Sequence, residues 1–261
     1  MTKILHVLTS NVFSGAENVA CQIIKMFEGT DYEMVYSSPD GPVAESLRKL
    51  GIAFVPMKEL NKNELKRVIS EVKPDIIHAH DMRASFITSL AKGSIPYVSH
   101  IHNNNFNSRG WSLKSIVYYF AARQASHVIW VSKSAFTGYK FSNRLKDKST
   151  TLYNVIDLAT LKRRHSEATD AEASDVIYLG RLSAEKNPLR LIDVLNIAIG
   201  RRPSLKALIV GKGALESDVI DRIKNYGIEA NVILKGFVDN PFGLLANARL
   251  MMMTSLWEGT P

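Results

Sequence analysis

Residues 175–187 read DVIYLGRLSAEKN, and their reading decides the fold. Four apolar residues in a row, Val176 to Leu179, describe a short buried strand. Gly180 ends it. Arg181 and Lys186 stand on either side of a polar loop, and Asn187-Pro188 opens a helix, with Asn187 as the expected N-cap and Pro188 at the first helical position. Amide groups at a helix start carry partial positive charge and suit an anion. An arginine that can fork two hydrogen bonds and a lysine acting as a point charge make a diphosphate the natural ligand. The plain alternative is a pair of solvated loop charges. Their place at the C-terminal end of a parallel strand, where open α/β sheets bind ligands, favours the site.

Outward from this stretch the chain alternates strand and helix, the pattern of parallel sheets wrapped by helices. N-terminal to it, strands are expected at 3–9, 33–37, 52–55, 76–79, 97–101, 128–131 and 150–153, with helices between them. Ser14 and Glu17 fit a capping box at the start of the first helix, and Gly15 lets a ligand approach the backbone there. Residues 154–173 are polar and break the pattern, so 1–157 is expected as one domain, 158–174 as a linker and 175–261 as a second domain. That second domain has about four strands, fewer than such a sheet usually holds. An incomplete second domain and a truncated chain are therefore expected.

Composition narrows the class. With 261 residues, 46% apolar and 22% charged, the chain has the make-up of a soluble globular protein. The single cysteine, Cys21, cannot form an internal disulfide, which suits a reducing cytoplasmic setting. The apolar start, Ile4 to Leu8, is too short for a signal peptide and is interrupted by His6. A net charge of +8 suggests anionic partners: nucleic acid, anionic lipid or phosphorylated substrates. The basic clusters, Lys58 to Lys73, Lys140 to Lys148 and Lys162 to Arg164, carry no aromatic interleaving, helix-turn-helix, zinc finger or Walker loop, which argues against nucleic acid. They are solvated faces or, alternatively, a peripheral contact with anionic membrane.

Two H-x-H pairs, His78/His80 and His100/His102, each place both rings on one strand face. If the strands are neighbours, four imidazoles could approach a zinc ion. Nothing else in the sequence marks a metal, and no metal is expected.

Taken together, SGAE at 14–17, DIIHAH at 75–80, VSHIH at 98–102, VSKSAF at 131–136, YNVID at 153–157, YLGRLSAEKN at 178–187, LIVGKG at 208–213, ILKGFV at 233–238 and SLWEGTP at 255–261 resemble the retaining glycosyltransferase family 4. The resemblance implies the GT-B fold, two Rossmann-like α/β domains with parallel sheets. It implies transfer of a sugar from a nucleoside diphosphate sugar to a hydroxyl of a glycan or lipid-linked acceptor, in cell-surface polysaccharide or lipopolysaccharide synthesis at the cytoplasmic side of the membrane. On it, Arg181 and Lys186 hold the donor diphosphate and stabilise its departure. Gly15 faces the same phosphates, and Gly211, Phe237 and Val238 line the nucleoside. Glu258 resembles the first glutamate of an E-x7-E motif that grips donor-sugar hydroxyls; the second would lie beyond Pro261. His102 resembles the histidine beside the reacting sugar, where the plain alternative is a strand-end histidine satisfied by its neighbours. Asn103 and Asn104 begin an acceptor-side loop, while Trp111, Tyr118 and Tyr119 are expected in the core. The cations take the place of a divalent ion at the phosphates, so no cofactor is implied. A nucleotide-sugar epimerase and a non-catalytic nucleotide-binding module remain as alternatives.

Overall fold

The computed structural model describes residues 1–103, 108–154, 158–256 and 258. The described residues form two compact units, one from residues 1–154 together with Glu258 and one from residues 158–256.

In the first unit β1 (Thr2–Leu8), β2 (Tyr32–Ser37), β3 (Ile76–His80), β4 (Tyr97–Ile101), β5 (His127–Trp130) and β6 (Ser149–Thr151) form one parallel sheet in the order β2-β1-β3-β4-β5-β6. Alternation along the strands sorts side chains onto two faces. One face carries Leu5, Val7, Ile77, Ala79, Tyr97 and Ile101, which pack with α3 (Lys62–Val72), α4 (Met82–Ala91), α5 (Leu113–Gln124) and α6 (Lys133–Gly138) into the main core. Tyr118 is fully buried there, as expected, whereas Trp111 is 71% exposed and is no core residue. The other face carries Leu8, which packs with α1 (Gly15–Met26) and α2 (Val43–Leu50), and beside it a row of histidines.

The strand expected at 52–55 is not a full strand. It meets the sheet through isolated bridges from Phe54 to Tyr36 and from Met57 to Pro39, and between them the Val55 carbonyl accepts from the Ser37 hydroxyl at 2.6 Å. α1 does start after Ser14, but the expected capping box is absent. The Ser14 hydroxyl donates to the Glu17 carboxylate at 2.5 Å instead of accepting from the helix backbone.

In the second unit β7 (Ser174–Leu179), β8 (Ala207–Val210), β9 (Val232–Gly236) and β10 (Ala248–Met251) form a parallel sheet in the order β10-β7-β8-β9. α8 (Pro188–Arg201) and α9 (Glu216–Tyr226) cover one face through Leu191, Ile192, Leu195 and Val219. α10 (Phe242–Ala246) covers the other through Leu244.

Residues 158–174 are not a linker. They hold α7 (Leu158–Ser166) and pack within the second unit. The Arg164 guanidinium lies over the Phe242 ring, 5.3 Å from its centroid, and donates to the Asp239 carbonyl. Lys235 pairs with Glu172 at 2.5 Å. The charges that make this segment look like a linker instead pair within the unit and, at Arg164, stack on an aromatic ring.

Candidate functional site

In the second unit the loop after β7 is held at both ends. The Tyr178 hydroxyl donates to the Arg181 carbonyl at 2.9 Å, and the Leu182 amide donates to the Lys212 carbonyl at 3.0 Å. At the far end the Thr254 hydroxyl donates to the Asn187 carbonyl at 2.9 Å and the Leu256 amide to the Glu185 carbonyl at 2.8 Å. The backbone carrying Arg181 and Lys186 is thus fixed by the segments that follow β8 and β10. The Arg181 side chain is 67% exposed and pairs with Glu185 at 2.9 Å, while Lys186 is half-buried. Pro188 is the first residue of α8, as expected, but Asn187 does not cap it: its backbone is left-handed, with φ 50°, and its side chain makes no cap bond. Asparagine is among the few residues that tolerate that conformation, and this is the reason it fits here.

β7, β8 and β9 are adjacent and parallel, so the loops after them emerge at one edge of the sheet. This brings the Arg181–Lys186 loop, the Gly211 turn and Phe237 to that edge. Gly211 has φ 140°, and a Cβ there would lie 1.9 Å from the Gly180 carbonyl oxygen. A Cβ on Gly213 would lie 2.3 Å from the Leu182 carbonyl oxygen. The two loops touch backbone to backbone, so glycine is required at both positions by the chain itself. Phe237 is 73% exposed, which leaves an aromatic face free at the same edge, and Val238 beside it is half-buried.

In the first unit His102 directly follows β4 and is half-buried, with Nε2 2.9 Å from Nδ1 of His80. His80 Nε2 in turn lies 2.9 Å from His6 Nδ1, and His78 Nε2 lies 3.2 Å from His100 Nδ1. The two H-x-H pairs therefore meet, because β3 and β4 are neighbours with His80 opposite His100. A fifth ring, His6 on β1 opposite His78, joins them. Burial lowers the pKa of every one of the five. His78 falls to about 4 and His102 to about 3, and at His6, His80 and His100 the like charge of neighbouring imidazoles adds to the effect. At neutral pH all five are neutral.

A cavity of about 230 Å³ opens at the C-terminal ends of the first unit's strands, lined by Thr9, Asp81, Arg83, Ile101, Asn103 and Lys114 among others. Asp81 has φ 103°, a strained backbone for a residue other than glycine, and its carboxylate accepts from the Ala84 amide at 2.8 Å to cap α4. Burial raises its carboxyl above the ordinary aspartate range. Such strain at a strand end marks a constrained site. Asp81, Arg83 and Lys114 carry no sequence motif, and only their positions at the first turns of α4 and α5 place them together. Gly15 is exposed, and a Cβ there would meet nothing within 4 Å. The fold makes no demand for glycine at that position. Glu258 is described, but Trp257 and residues 259–261 of its motif lie outside the described residues, as does Asn104.

Residues 13–160 match the family described as Glycosyltransferase Family 4, and residues 160–261 match Glycosyl transferases group 1. An uncharacterized glycosyltransferase of Methanocaldococcus jannaschii is 25% identical over 228 residues, which is 79% of this chain and 56% of that protein. The N-acetylgalactosamine-N,N'-diacetylbacillosaminyl-diphospho-undecaprenol 4-alpha-N-acetylgalactosaminyltransferase of Campylobacter jejuni is 32% identical over 113 residues, 43% of this chain and 30% of that protein. The chain thus spans little more than half the length of the first of these relatives and less of the second. Anabaena HepE, crystallised with UDP and glucose, has the same fold, with a TM-score of 0.81 over 98% of this chain and 74% of that one at 22% identity. The architecture is the GT-B pair of Rossmann-like units, and with one family match reaching across more than half of its residues, the chain belongs to Glycosyltransferase Family 4.

Proposed function

We propose that this chain supplies the donor site and the acceptor-side unit of a retaining glycosyltransferase. The observation that carries the reading is the shared edge of β7, β8 and β9. There a cationic loop, a turn that only glycine can make and an exposed aromatic ring lie together. Arg181 and Lys186 bind the diphosphate of a nucleoside diphosphate sugar, and Phe237 with Val238 borders the nucleoside. The acceptor hydroxyl attacks the anomeric carbon from the face the diphosphate leaves. The glycosidic C–O bond breaks, its electron pair stays on the phosphate oxygen, and that oxygen takes the acceptor proton. Negative charge grows on the diphosphate during this step, so fixed cations lower its barrier. They also make a divalent ion at the phosphates unnecessary. His102, neutral at pH 7, stands beside the reacting sugar, Gly15 leaves its backbone open to the donor phosphates, and Glu258 grips the donor sugar.

The cavity beside Asp81 is the acceptor pocket in this reading. Arg83 and Lys114 at its rim suit an acceptor bearing phosphate, in keeping with the diphospho-undecaprenol acceptor named for the Campylobacter relative. Assembly of cell-surface glycans at the inner membrane face fits that acceptor and the basic surface. Among the described residues no helix is long and apolar enough to cross a membrane.

Calorimetric titration with UDP, GDP and ADP tests the donor site. One nucleotide is expected to saturate the wild type. Charge-assisted hydrogen bonds contribute ~1.5–3 kcal/mol each, so Arg181→Ala with Lys186→Ala is expected to weaken binding roughly a hundredfold or more. Added EDTA is expected to change nothing. A folded wild type that binds none of the three, or a double variant that binds as well as wild type, overturns the reading.

A further inference from the structure

We propose that His80, His100 and His102 form a binding site for one transition-metal ion of the zinc, nickel and copper class. Each offers one ring nitrogen, and the three lie within 4.8 Å of one another. Ions of this class prefer imidazole nitrogen, and three imidazoles plus one open position is a common zinc arrangement.

Hydrogen-bond accounting in the cluster supports the site. Each neutral imidazole has one N–H and one lone pair. Three ring-to-ring contacts use six of the ten ring nitrogens. Nε2 of His6, Nε2 of His100 and Nδ1 of His102 are buried with no hydrogen-bond partner. A buried polar atom left unsatisfied is destabilising. Between His80 Nδ1 and His102 Nε2, 2.9 Å apart, a single proton keeps two lone pairs from facing one another. A metal ion takes the place of that proton. The proton moves to the outer nitrogens, with His80 Nε2–H donating to His6 Nδ1, and no change in oxidation state is involved. When His100 Nδ1–H donates to His78, its Nε2 is left as a free lone pair. Bonds of about 2.0–2.1 Å to zinc set the ligating nitrogens ~3.3 Å apart, so small ring rotations suffice.

A second trio, His6, His78 and His80, meets the same distance limit. It shares His80 with the first, and His6 is fully buried. His102 is half-buried at a strand end, and a small cavity of about 30 Å³ reaches His100. The His80–His100–His102 trio is therefore the one with access for an ion and for a fourth ligand from solvent. All three ligands belong to the first unit.

The test uses the whole chain, stripped of metal by chelation. Zinc is titrated in competition with a chromophoric chelator, and cobalt is added separately to read its visible absorption. Wild type is expected to bind one equivalent of zinc, with a cobalt band of tetrahedral intensity and a raised thermal midpoint. His102→Asn and His100→Asn are expected to weaken zinc at least about tenfold and to abolish the cobalt band. His6→Asn, and His165→Asn on the exposed face of α7, are expected to keep one equivalent. Circular dichroism establishes that each variant is folded, and His102→Asn, at a half-buried strand end, is the variant least tied to the core. Absence of a saturable equivalent in folded wild type overturns the proposal. So does a site lost in His6→Asn or His165→Asn but kept in His102→Asn.

Discussion

In the presence of a chelator, the first unit is expected to unfold between pH 6.5 and about pH 5, well above the usual range of acid denaturation. The five clustered histidines are the reason. In the unfolded chain each takes up a proton near pH 6.5. In the fold burial holds every one of them below that value, His78 at about 4 and His102 at about 3. The groups that act on these rings are chiefly each other, and no carboxylate is among them. Protonation would therefore place like charges side by side. Below pH 6.5 the unfolded state binds more protons than the native state, so stability falls as pH falls. Each histidine contributes about 0.7 kcal/mol per pH unit at pH 6.5, rising toward about 1.4 near pH 5. Together they approach ~7 kcal/mol per unit, comparable to the whole stability of a typical domain. Fluorescence of the buried Trp130 and far-ultraviolet circular dichroism, followed from pH 7.5 to 4.5, read the transition. A first unit equally stable at pH 7 and pH 5 would show that the rings accept protons in the fold.

Gly211→Ala is expected to destabilise the second unit by ~3–5 kcal/mol. The new methyl would fall 1.9 Å from the Gly180 carbonyl oxygen, and φ there is 140°. The obstacle is backbone rather than a side chain that could turn aside. Moving it would also break the Gly180 amide's bond to the Val210 carbonyl at 3.0 Å and the Gly211 amide's bond to the Gly236 carbonyl at 2.7 Å. Urea unfolding of the second unit reads the loss, and nucleotide binding should go with it. Gly15→Ala is the contrasting case. With nothing within 4 Å, it is expected to leave stability within about 0.5 kcal/mol. A loss of nucleotide affinity in that variant without loss of stability would mean that Gly15 is kept bare for a ligand.

The strand-helix order was legible because most strands are short apolar runs bounded by polar turns, as in Val176–Leu179 and Ala207–Val210. The edge that gathers Arg181, Gly211 and Phe237 follows from the strand order β7-β8-β9, and in the sequence only the family resemblance pointed to Gly211 and Phe237. Three features were hidden. The helix Leu158–Ser166 is dominated by charge, and its contact with Phe242 is made by the Arg164 guanidinium over the ring rather than by an apolar stripe. The fifth histidine, His6, joins the cluster because β1 lies beside β3, an order that no local pattern encodes. Asp81, Arg83 and Lys114 meet only because α4 and α5 begin at the same end of the sheet, and exposed charges at helix starts look alike in any sequence.

The packing of α7 decides where the chain can be cut. A second unit expressed from residue 175 would lose Arg164 from over Phe242, Asp170 and Ala168 from beside Gly243, and both carboxylate partners of Lys235. It would present a naked apolar helix to water and invite self-association. Expression from residue 158 keeps that cover, so it is the start to choose for isotope labelling or crystallisation of the second unit.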